Sequence, residues 1–200
     1  MITIKKTSQK ELEDLEIADG FTRWIPSPGE KGKNELKEIL IERLNEGAEV
    51  WIAVENREII GFAIVTDWPS LPEGKAIEAM EVAKPYRGRG IGYNLLNRIL
   101  KETEAIFVLT PYPEAGYEKA LEEFYKRFDF KYLSNNKEFM VRIPENPEKL
   151  EKWIKHIDRL IDIYELLIKE MKRMYDEKYS ALLKLVKKTS EENNSVRTQR

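Results

Sequence analysis

Cysteine is missing from this sequence, and its absence removes several chemistries at once. None of the 200 residues is a cysteine. The chain therefore has no disulfide, no thiolate metal site and no acyl-cysteine intermediate. Histidine occurs once, as His156, and no group of His, Asp and Glu has metal-ligand spacing, so no metal is expected. A sequence without cysteine but rich in Lys and Glu is typical of a thermophilic source.

Long apolar runs and an excess of one charge are missing too. No apolar stretch approaches the roughly 20 residues that cross a bilayer. The N-terminus lacks the hydrophobic region of a signal peptide. The net charge is −2, from 34 basic and 36 acidic residues, which does not favour a nucleic-acid-binding protein. The sequence predicts a cytoplasmic protein that binds neither membrane nor nucleic acid.

The chain does contain a glycine-rich turn, Arg87-Gly88-Arg89-Gly90-Ile91-Gly92. Residues 76–82 before it are typical of a strand, and residues 93–102 after it have the apolar period of a helix. A turn of this kind binds anions, because free N–H groups and the helix dipole face outward and missing Cβ atoms allow close approach. The Walker and dinucleotide-binding patterns are not met. We therefore expect a different phosphate-bearing cofactor.

This strand, turn and helix resemble the GCN5-related N-acetyltransferase (GNAT) family. Its signature, Arg/Gln-x-x-Gly-x-Gly/Ala, is matched by Arg87, Gly90 and Gly92. Residues 124–130 resemble the second signature of the family, except that Asp129 stands where a glycine is usual. The resemblance covers residues 1–143. It implies that acetyl-CoA is the cosubstrate, that the backbone of Val82 binds its pantetheine arm, and that its pyrophosphate is held by Arg87, Gly88, Arg89, Gly90, Ile91 and Gly92.

The order of the periodic segments is compatible with that family. Strands are predicted at 2–6, 49–55, 58–66, 76–82, 104–109 and 137–143, with a tight hairpin at 55–58. Helices are predicted near 8–19 and 33–46, at 93–102 and just before 130. The sequence thus predicts an α+β fold for residues 1–143, an α/β/α sandwich with a mixed, mostly antiparallel sheet.

Residues 144–188 form a separate helical extension in this interpretation. Pro147 suits a first helical turn, and apolar residues then follow in steps of three and four, in a heptad pattern. The unbroken heptad period favours a coiled coil, parallel or antiparallel, that makes a homodimer. The alternatives are a straight or bent helix on its own domain and a binding site for an unrelated protein. The polar residues 189–200 are predicted to be a disordered tail.

Two carboxylates and one tyrosine are the candidates for catalysis. The carboxylates lie on the predicted strand 76–82 before the glycine-rich turn, called the cofactor strand here. Direct attack of an amine on a thioester needs a base for the amine proton and an acid for the leaving thiolate. Glu78, or else Glu81, is the candidate base; strict alternation along the strand puts them on opposite faces unless a bulge intervenes. Tyr125 matches the tyrosine that many GNAT enzymes use as the acid.

The predicted function is transfer of the acetyl group of acetyl-CoA to a primary amine, on a small molecule or a protein, in a ternary complex. The alternative is a non-catalytic acyl-CoA-binding module whose coiled coil mediates protein interaction. The acceptor depends on loops at 20–34, 67–75 and 110–117. An aromatic substrate wall is one reading of the residues in or near them, namely Trp24, Pro26, Trp68, Tyr112 and Tyr117.

Overall fold

Apolar runs rich in Val, Ile and Phe build one eight-stranded sheet in the computed structural model, which describes residues 1–24, 27–68, 74–133, 137–144 and 147–197. The strands are β1 (Thr3–Lys6), β2 (Glu16–Ile17), β3 (Glu49–Glu55), β4 (Glu58–Asp67), β5 (Gly74–Val82), β6 (Ile106–Leu109), β7 (Lys131–Tyr132) and β8 (Met140–Arg142). Pro26 and residues 69–73 of the predicted loops lie outside the described residues.

Five α-helices occur in the described part of the chain. They are α1 (Gln9–Glu13), α2 (Gly29–Asn45), α3 (Ile91–Glu102), α4 (Glu118–Lys126) and α5 (Pro147–Arg197). The helix predicted at 8–19 is wrong in its second half, because the chain turns after α1 and Ile17 enters the sheet beside Ile59.

The sheet is mixed and mostly antiparallel. Its order is β1-β3-β4-β5-β6-β8-β7, and β2 pairs with β4. Only β5–β6 and β2–β4 are parallel among the pairs of described strands. Residues Asn56 and Arg57, both with positive φ, close the predicted hairpin between β3 and β4.

Two apolar clusters, one on each face of the sheet, make the core. Leu12 of α1 and Leu36 and Leu40 of α2 pack against one face. Leu95 and Leu96 of α3 pack against the other, together with side chains from α4 and after it. The helices therefore form outer layers around the sheet, and the predicted α/β/α sandwich is confirmed.

The chain divides into two compact units, Met1–Pro144 and Glu145–Arg200. Helix α5 belongs to the second unit and begins at Pro147, the residue suited to a first helical turn. It continues beyond Thr189, where the sequence predicts a disordered tail to start. Within the described residues, no helix combines the length and apolar character needed to cross a bilayer.

Candidate active site

The central parallel strands separate and leave an opening in the sheet. Strands β5 and β6 are paired only as far as Ala76 and Val108, yet β5 continues to Val82. Beyond Ala76, the edge of β5 that faces β6 has no partner among the described strands. A short 3-10 turn, Lys84–Tyr86, joins the end of β5 to the glycine-rich turn, which therefore lies at the mouth of this opening.

The turn presents a row of free backbone donors. Gly88 and Gly90 have φ of 79° and 75°, left-handed values that glycine adopts without strain. Among the described residues, the backbone N–H groups from Gly88 to Tyr93 donate to no acceptor in the protein. Since α3 begins at Ile91, its dipole adds partial positive charge at the same place. The geometry is that of an anion site.

Both arginines of the turn are already paired with carboxylates. Arg89 makes two hydrogen bonds to Glu55, at 2.8 and 2.9 Å. Arg87 donates two hydrogen bonds to the carboxylate of Glu114, the shorter one from Nη2 at 3.0 Å. These hydrogen bonds lower the pKa of Glu114. The backbone N–H groups are therefore the unpaired donors of the turn.

Val82 directs its backbone polar groups into the opening. The next residue, Ala83, donates its N–H to Ile60 of β4. Because successive residues of a strand point their N–H and C=O groups to opposite sides, those of Val82 point away from β4. The C=O group of Val82 accepts a hydrogen bond of 2.9 Å from Nε of Arg87.

A β-bulge at Glu78 breaks the alternation of β5. Ile64 of β4 is opposite Ala79 and the next residue, Val65, is opposite Ile77, so Glu78 is the extra residue. Strict alternation along β5, which would put Glu78 and Glu81 on opposite faces, therefore does not hold at Glu78. The Glu78 carboxylate instead meets Arg43 of α2, at 2.6 Å.

Glu81 is buried and fixes a loop. Its Oε1 atom accepts hydrogen bonds from the backbone N–H of Thr22, at 2.8 Å, and of Arg23, at 3.3 Å. The same oxygen is 3.6 Å from NH2 of Arg87. This carboxylate thus connects the loop after β2 to strand β5 and to the glycine-rich turn.

Tyr125 of α4 is buried against Phe124 and Phe130, with ring centroids 5.2 and 5.7 Å away. Burial raises the pKa of its phenol to about 12. The hydroxyl forms no hydrogen bond with a described residue. It is therefore a protonated donor without an acceptor among the described residues.

Three adjoining cavities follow the opening. The turn cavity, of about 280 Å³, is lined by Val82, Arg87 and Phe124 among others. The middle cavity, of about 240 Å³, is lined by Glu78 and Tyr125. The outer cavity, of about 420 Å³, also includes Glu78. The structure thus brings the two predicted catalytic residues Glu78 and Tyr125 to one cavity, whereas Glu81 lines the turn cavity.

The predicted aromatic wall is only partly assembled. Trp24 lines the middle cavity, Trp68 the outer cavity and Tyr117 the turn cavity, and Tyr112 lines all three. The sequence analysis missed Arg43 and Glu114, which lie on α2 and on the loop before α4. Nothing local in the sequence marks them, because each acts through a contact distant along the chain.

The described residues contain no group of His, Cys, Asp and Glu that could hold a metal ion. The donors of the turn suit a phosphate instead, since backbone N–H groups at a helix N-terminus bind phosphate oxygens without a metal. The left-handed glycines leave space there, and a Cβ built on Gly88 would meet no atom within 4 Å.

Several solved structures have a similar fold. An acetoin utilization protein from Exiguobacterium sibiricum aligns with a TM-score of 0.59 at 19% identity, over 80% of this chain and 93% of that one. AtaTR bound with AcCoA aligns with a TM-score of 0.50 at 13% identity, over 70% and 92%. AtaT complexed with acetyl-methionyl-tRNAfMet aligns with a TM-score of 0.50 at 15% identity, over 75% and 98%.

At these identities the structural matches establish the fold alone. No curated protein is significantly similar to the chain in sequence. The sequence profile of the acetyltransferase (GNAT) domain, however, matches residues 46–132, which include the cofactor strand, the glycine-rich turn and Tyr125. Residues 46–132 thus belong to a domain of the GNAT acetyltransferase family.

Proposed function

We propose that this protein transfers the acetyl group of acetyl-CoA to a primary amine by direct attack in a ternary complex. The observation that carries the proposal is the row of free N–H groups from Gly88 to Tyr93 at the mouth of the opening in the sheet. Residues 87–92 bind the pyrophosphate, and the backbone of Val82 aligns the pantetheine arm. The arm then leads along the turn cavity toward Glu78 and Tyr125.

Acetyl-CoA binding is the first test. Titration calorimetry with acetyl-CoA should give saturable binding, because a free backbone cradle at a helix N-terminus favours a diphosphate. No binding at millimolar acetyl-CoA would end the proposal. Dephospho-CoA is a matched control, since it keeps the pyrophosphate and should still bind.

The transfer itself needs two proton movements. A C–N bond forms and the C–S bond breaks, while the amine loses a proton and the thiolate gains one. Glu78 accepts the amine proton, directly or through water. Its partner Arg43 touches Oε1 and holds the carboxylate in place. Oε2 remains for the amine.

Glu81 is the less suited of the two carboxylates. It is buried and already accepts hydrogen bonds from the loop after β2. Proton uptake there would weaken the contacts that hold this loop. We assign Glu81 a positioning role and Glu78 the role of base.

Tyr125 donates a hydrogen bond to the departing thiolate, which then takes up its proton from solvent. Its phenol lines the same cavity as Glu78 and has no acceptor in the described part of the chain, so it is available to the departing thiolate. A phenol with a pKa of about 12 is fully protonated at neutral pH. It is also a weaker acid than a thiol, so the site favours a hydrogen bond that strengthens as the thiolate forms.

Substitution of the base separates catalysis from binding. Glu78→Gln should lower kcat at pH 7 by about 100-fold, the lower range for general-base catalysis. The Kd of acetyl-CoA should stay unchanged, since Glu78 does not line the turn cavity. Release of CoA thiol is a clean assay here, because the protein has no thiol of its own. Unchanged turnover would remove Glu78 from the mechanism.

The non-catalytic alternative makes a different prediction from the same assay. A binding module would take up acetyl-CoA and release no thiol with any amine offered. Thiol release that depends on added amine supports the enzyme.

We also propose that α5 joins two copies of the chain into a homodimer. The apolar residues that repeat in the heptad pattern of α5 are called the seam here. In the middle of the helix each of them is about half exposed or more in the single chain, namely Ile161, Tyr164, Ile168, Met171 and Tyr175. A continuous apolar stripe of this kind marks a protein interface. The ion pairs of Arg173 with Glu170 and Glu177 lie at heptad positions outside the seam.

The charges beside the seam favour an antiparallel arrangement. With Ile168 at position a and Met171 at d, Glu165 and Lys172 both fall at position e. In an antiparallel pair, e positions of the two copies face each other, and a register centred between positions 168 and 169 brings Glu165 of each copy to Lys172 of the other. In a parallel pair, e lies beside g, where Leu167 and Met174 stand. Opposite charges are thus matched only in the antiparallel pair.

A further inference from the structure

The outer cavity lies beyond the part of the opening that acetyl-CoA needs. Arg23, Met80, Tyr112 and Leu121 line both the turn cavity and the middle cavity. Glu78 and Thr110 line both the middle cavity and the outer cavity. The three therefore follow one another from the glycine-rich turn to the outer cavity. Under the proposed function, the reacting thioester reaches the middle cavity and the outer cavity is left for the acceptor.

Apolar and aromatic side chains dominate the outer cavity. Ile77, Val108 and Leu109 are buried and form its aliphatic part. Trp68, Tyr112 and Phe139 add three rings, none of which packs against another ring among the described residues. Tyr112 is 71% exposed and Phe139 is 38% exposed. Large apolar side chains held at solvent around a cavity are typical of a ligand-binding surface.

Charge is scarce in this cavity. Within the described part of its lining, Glu78 is the single charged side chain, and the other polar groups are the hydroxyls of Thr66, Thr110 and Tyr112 and the indole N–H of Trp68. A cationic amine beside Glu78 finds an opposite charge. A carboxylate or a second ammonium on the acceptor would lose part of its water there and find no further charged partner among the described lining residues, which is unfavourable.

We infer that the acceptor is a primary monoamine carried on an apolar, preferably aromatic, body. Its amine nitrogen lies at Glu78, between the thioester and the outer cavity, and attacks as the neutral amine after the ammonium ion has released one proton to solvent. Its apolar body fills the outer cavity against Trp68, Tyr112 and Phe139. A volume of about 420 Å³ suits a single ring with a short side chain rather than a large conjugate. This inference rests on the proposed acetyl transfer.

Three matched amines test the acceptor class on the full-length protein with acetyl-CoA. Phenethylamine has the ring and one amine, phenylalanine adds a carboxylate to it, and 1,4-diaminobutane replaces the ring with a second amine. We expect kcat/KM for phenethylamine to exceed both others by about tenfold or more, because its ring gains apolar contact while a second charge must give up part of its water. Equal or faster transfer to phenylalanine or diaminobutane overturns the inference and leaves the acetyl transfer standing.

Variants of the wall provide a second readout. Phe139→Ala should lower kcat/KM for phenethylamine by about tenfold, because ring contact is lost. The Kd of acetyl-CoA should not change, since Phe139 does not line the turn cavity. Leu133→Ala, an exposed residue whose backbone bonds that of Phe139, is the control and should leave both values unchanged. An unaltered kcat/KM in Phe139→Ala counts against the wall.

Binding separates a wrong acceptor from a wrong activity. If none of the three amines releases CoA thiol, phenethylamine is titrated calorimetrically into the protein with CoA present. Binding that Phe139→Ala weakens supports the acceptor site and overturns the acetyl transfer. No binding of phenethylamine overturns the inference.

Discussion

Burial determines how the Tyr125 phenol behaves as pH rises. Its pKa is raised to about 12, so the group stays protonated at pH 10, where an exposed tyrosine is half ionised. The acid is therefore lost only as pH rises through about 12. We predict that kcat of the wild-type protein shows no alkaline loss from this group up to pH 10, measured by thiol release in a pH series.

Removal of that hydroxyl tests the same residue directly. Tyr125→Phe should lower kcat by about 100-fold through loss of the hydrogen-bond donor. Packing against Phe124 and Phe130 is retained, so the unfolding midpoint in urea should hardly move. Tyr132→Phe is the matched control, since Tyr132 bonds Glu122 and lines none of the three cavities. A Tyr125→Phe protein with wild-type kcat would exclude the acid role.

Asp129 carries backbone strain at the end of α4. Its φ is 63°, in the left-handed region, where the family pattern has glycine. Its exposed side chain forms no hydrogen bond with a described residue that would offset the strain. Asp129→Gly should therefore raise the free energy of unfolding by about 1 kcal/mol. Urea denaturation measures this, and Asp129→Ala should be less stable than Asp129→Gly. A less stable glycine variant would contradict the account.

At the scale of elements, Gly90 of the turn and Gly92 of α3 differ in whether their backbone conformation requires glycine. Gly90 has a positive φ, so Gly90→Ala should strain the turn by about 1–2 kcal/mol and raise the Kd of acetyl-CoA roughly tenfold. Gly92 lies in α3 with ordinary φ, and a Cβ there would meet Val82 at 3.7 Å, a normal contact. Gly92→Ala should keep the wild-type Kd by calorimetry. Equal effects of both substitutions would contradict the assigned geometry.

The same elements indicate how far the sequence could predict this protein. Strand β5, the turn and α3 follow from local patterns, because the apolar period and the glycines are contiguous in the chain. Leu95, Leu96 and Ile99 of α3 are buried, in agreement with the apolar helical period predicted for residues 93–102. These local signals were sufficient for the fold and for the family.

The face of β5 on which Glu78 lies could not be predicted in the same way. The bulge at Glu78 is set by pairing with β4, and a register shift of one residue moves a side chain to the other face. The ion pair of Glu78 with Arg43 likewise depends on where α2 packs. Contacts between distant segments therefore determine the chemistry of the site, whereas local patterns determine its frame.

At the scale of the whole molecule, the antiparallel homodimer is the remaining proposal, and a charge swap tests it. Glu165 and Lys172 are both exposed in the single chain. In an antiparallel pair each Glu165 meets Lys172 of the other copy, so Glu165→Lys creates two repulsive contacts and should raise the dimer Kd about tenfold. The double variant Glu165→Lys with Lys172→Glu restores opposite charges and should recover the wild-type Kd in sedimentation equilibrium.

The control for this swap lies on the outer face of the same helix. Glu177→Lys reverses a charge that pairs with Arg173, away from the seam, and should leave the dimer Kd unchanged. In a parallel dimer, Glu165 and Lys172 of the two copies do not meet, and the double variant would then fail to recover what the single variant loses. A wild-type protein that is monomeric at all concentrations would contradict the homodimer and favour an unrelated protein as the partner of the seam. Recovery of the wild-type dimer Kd in the double variant therefore supports both the homodimer and its antiparallel arrangement, because only an antiparallel seam brings these two charges together.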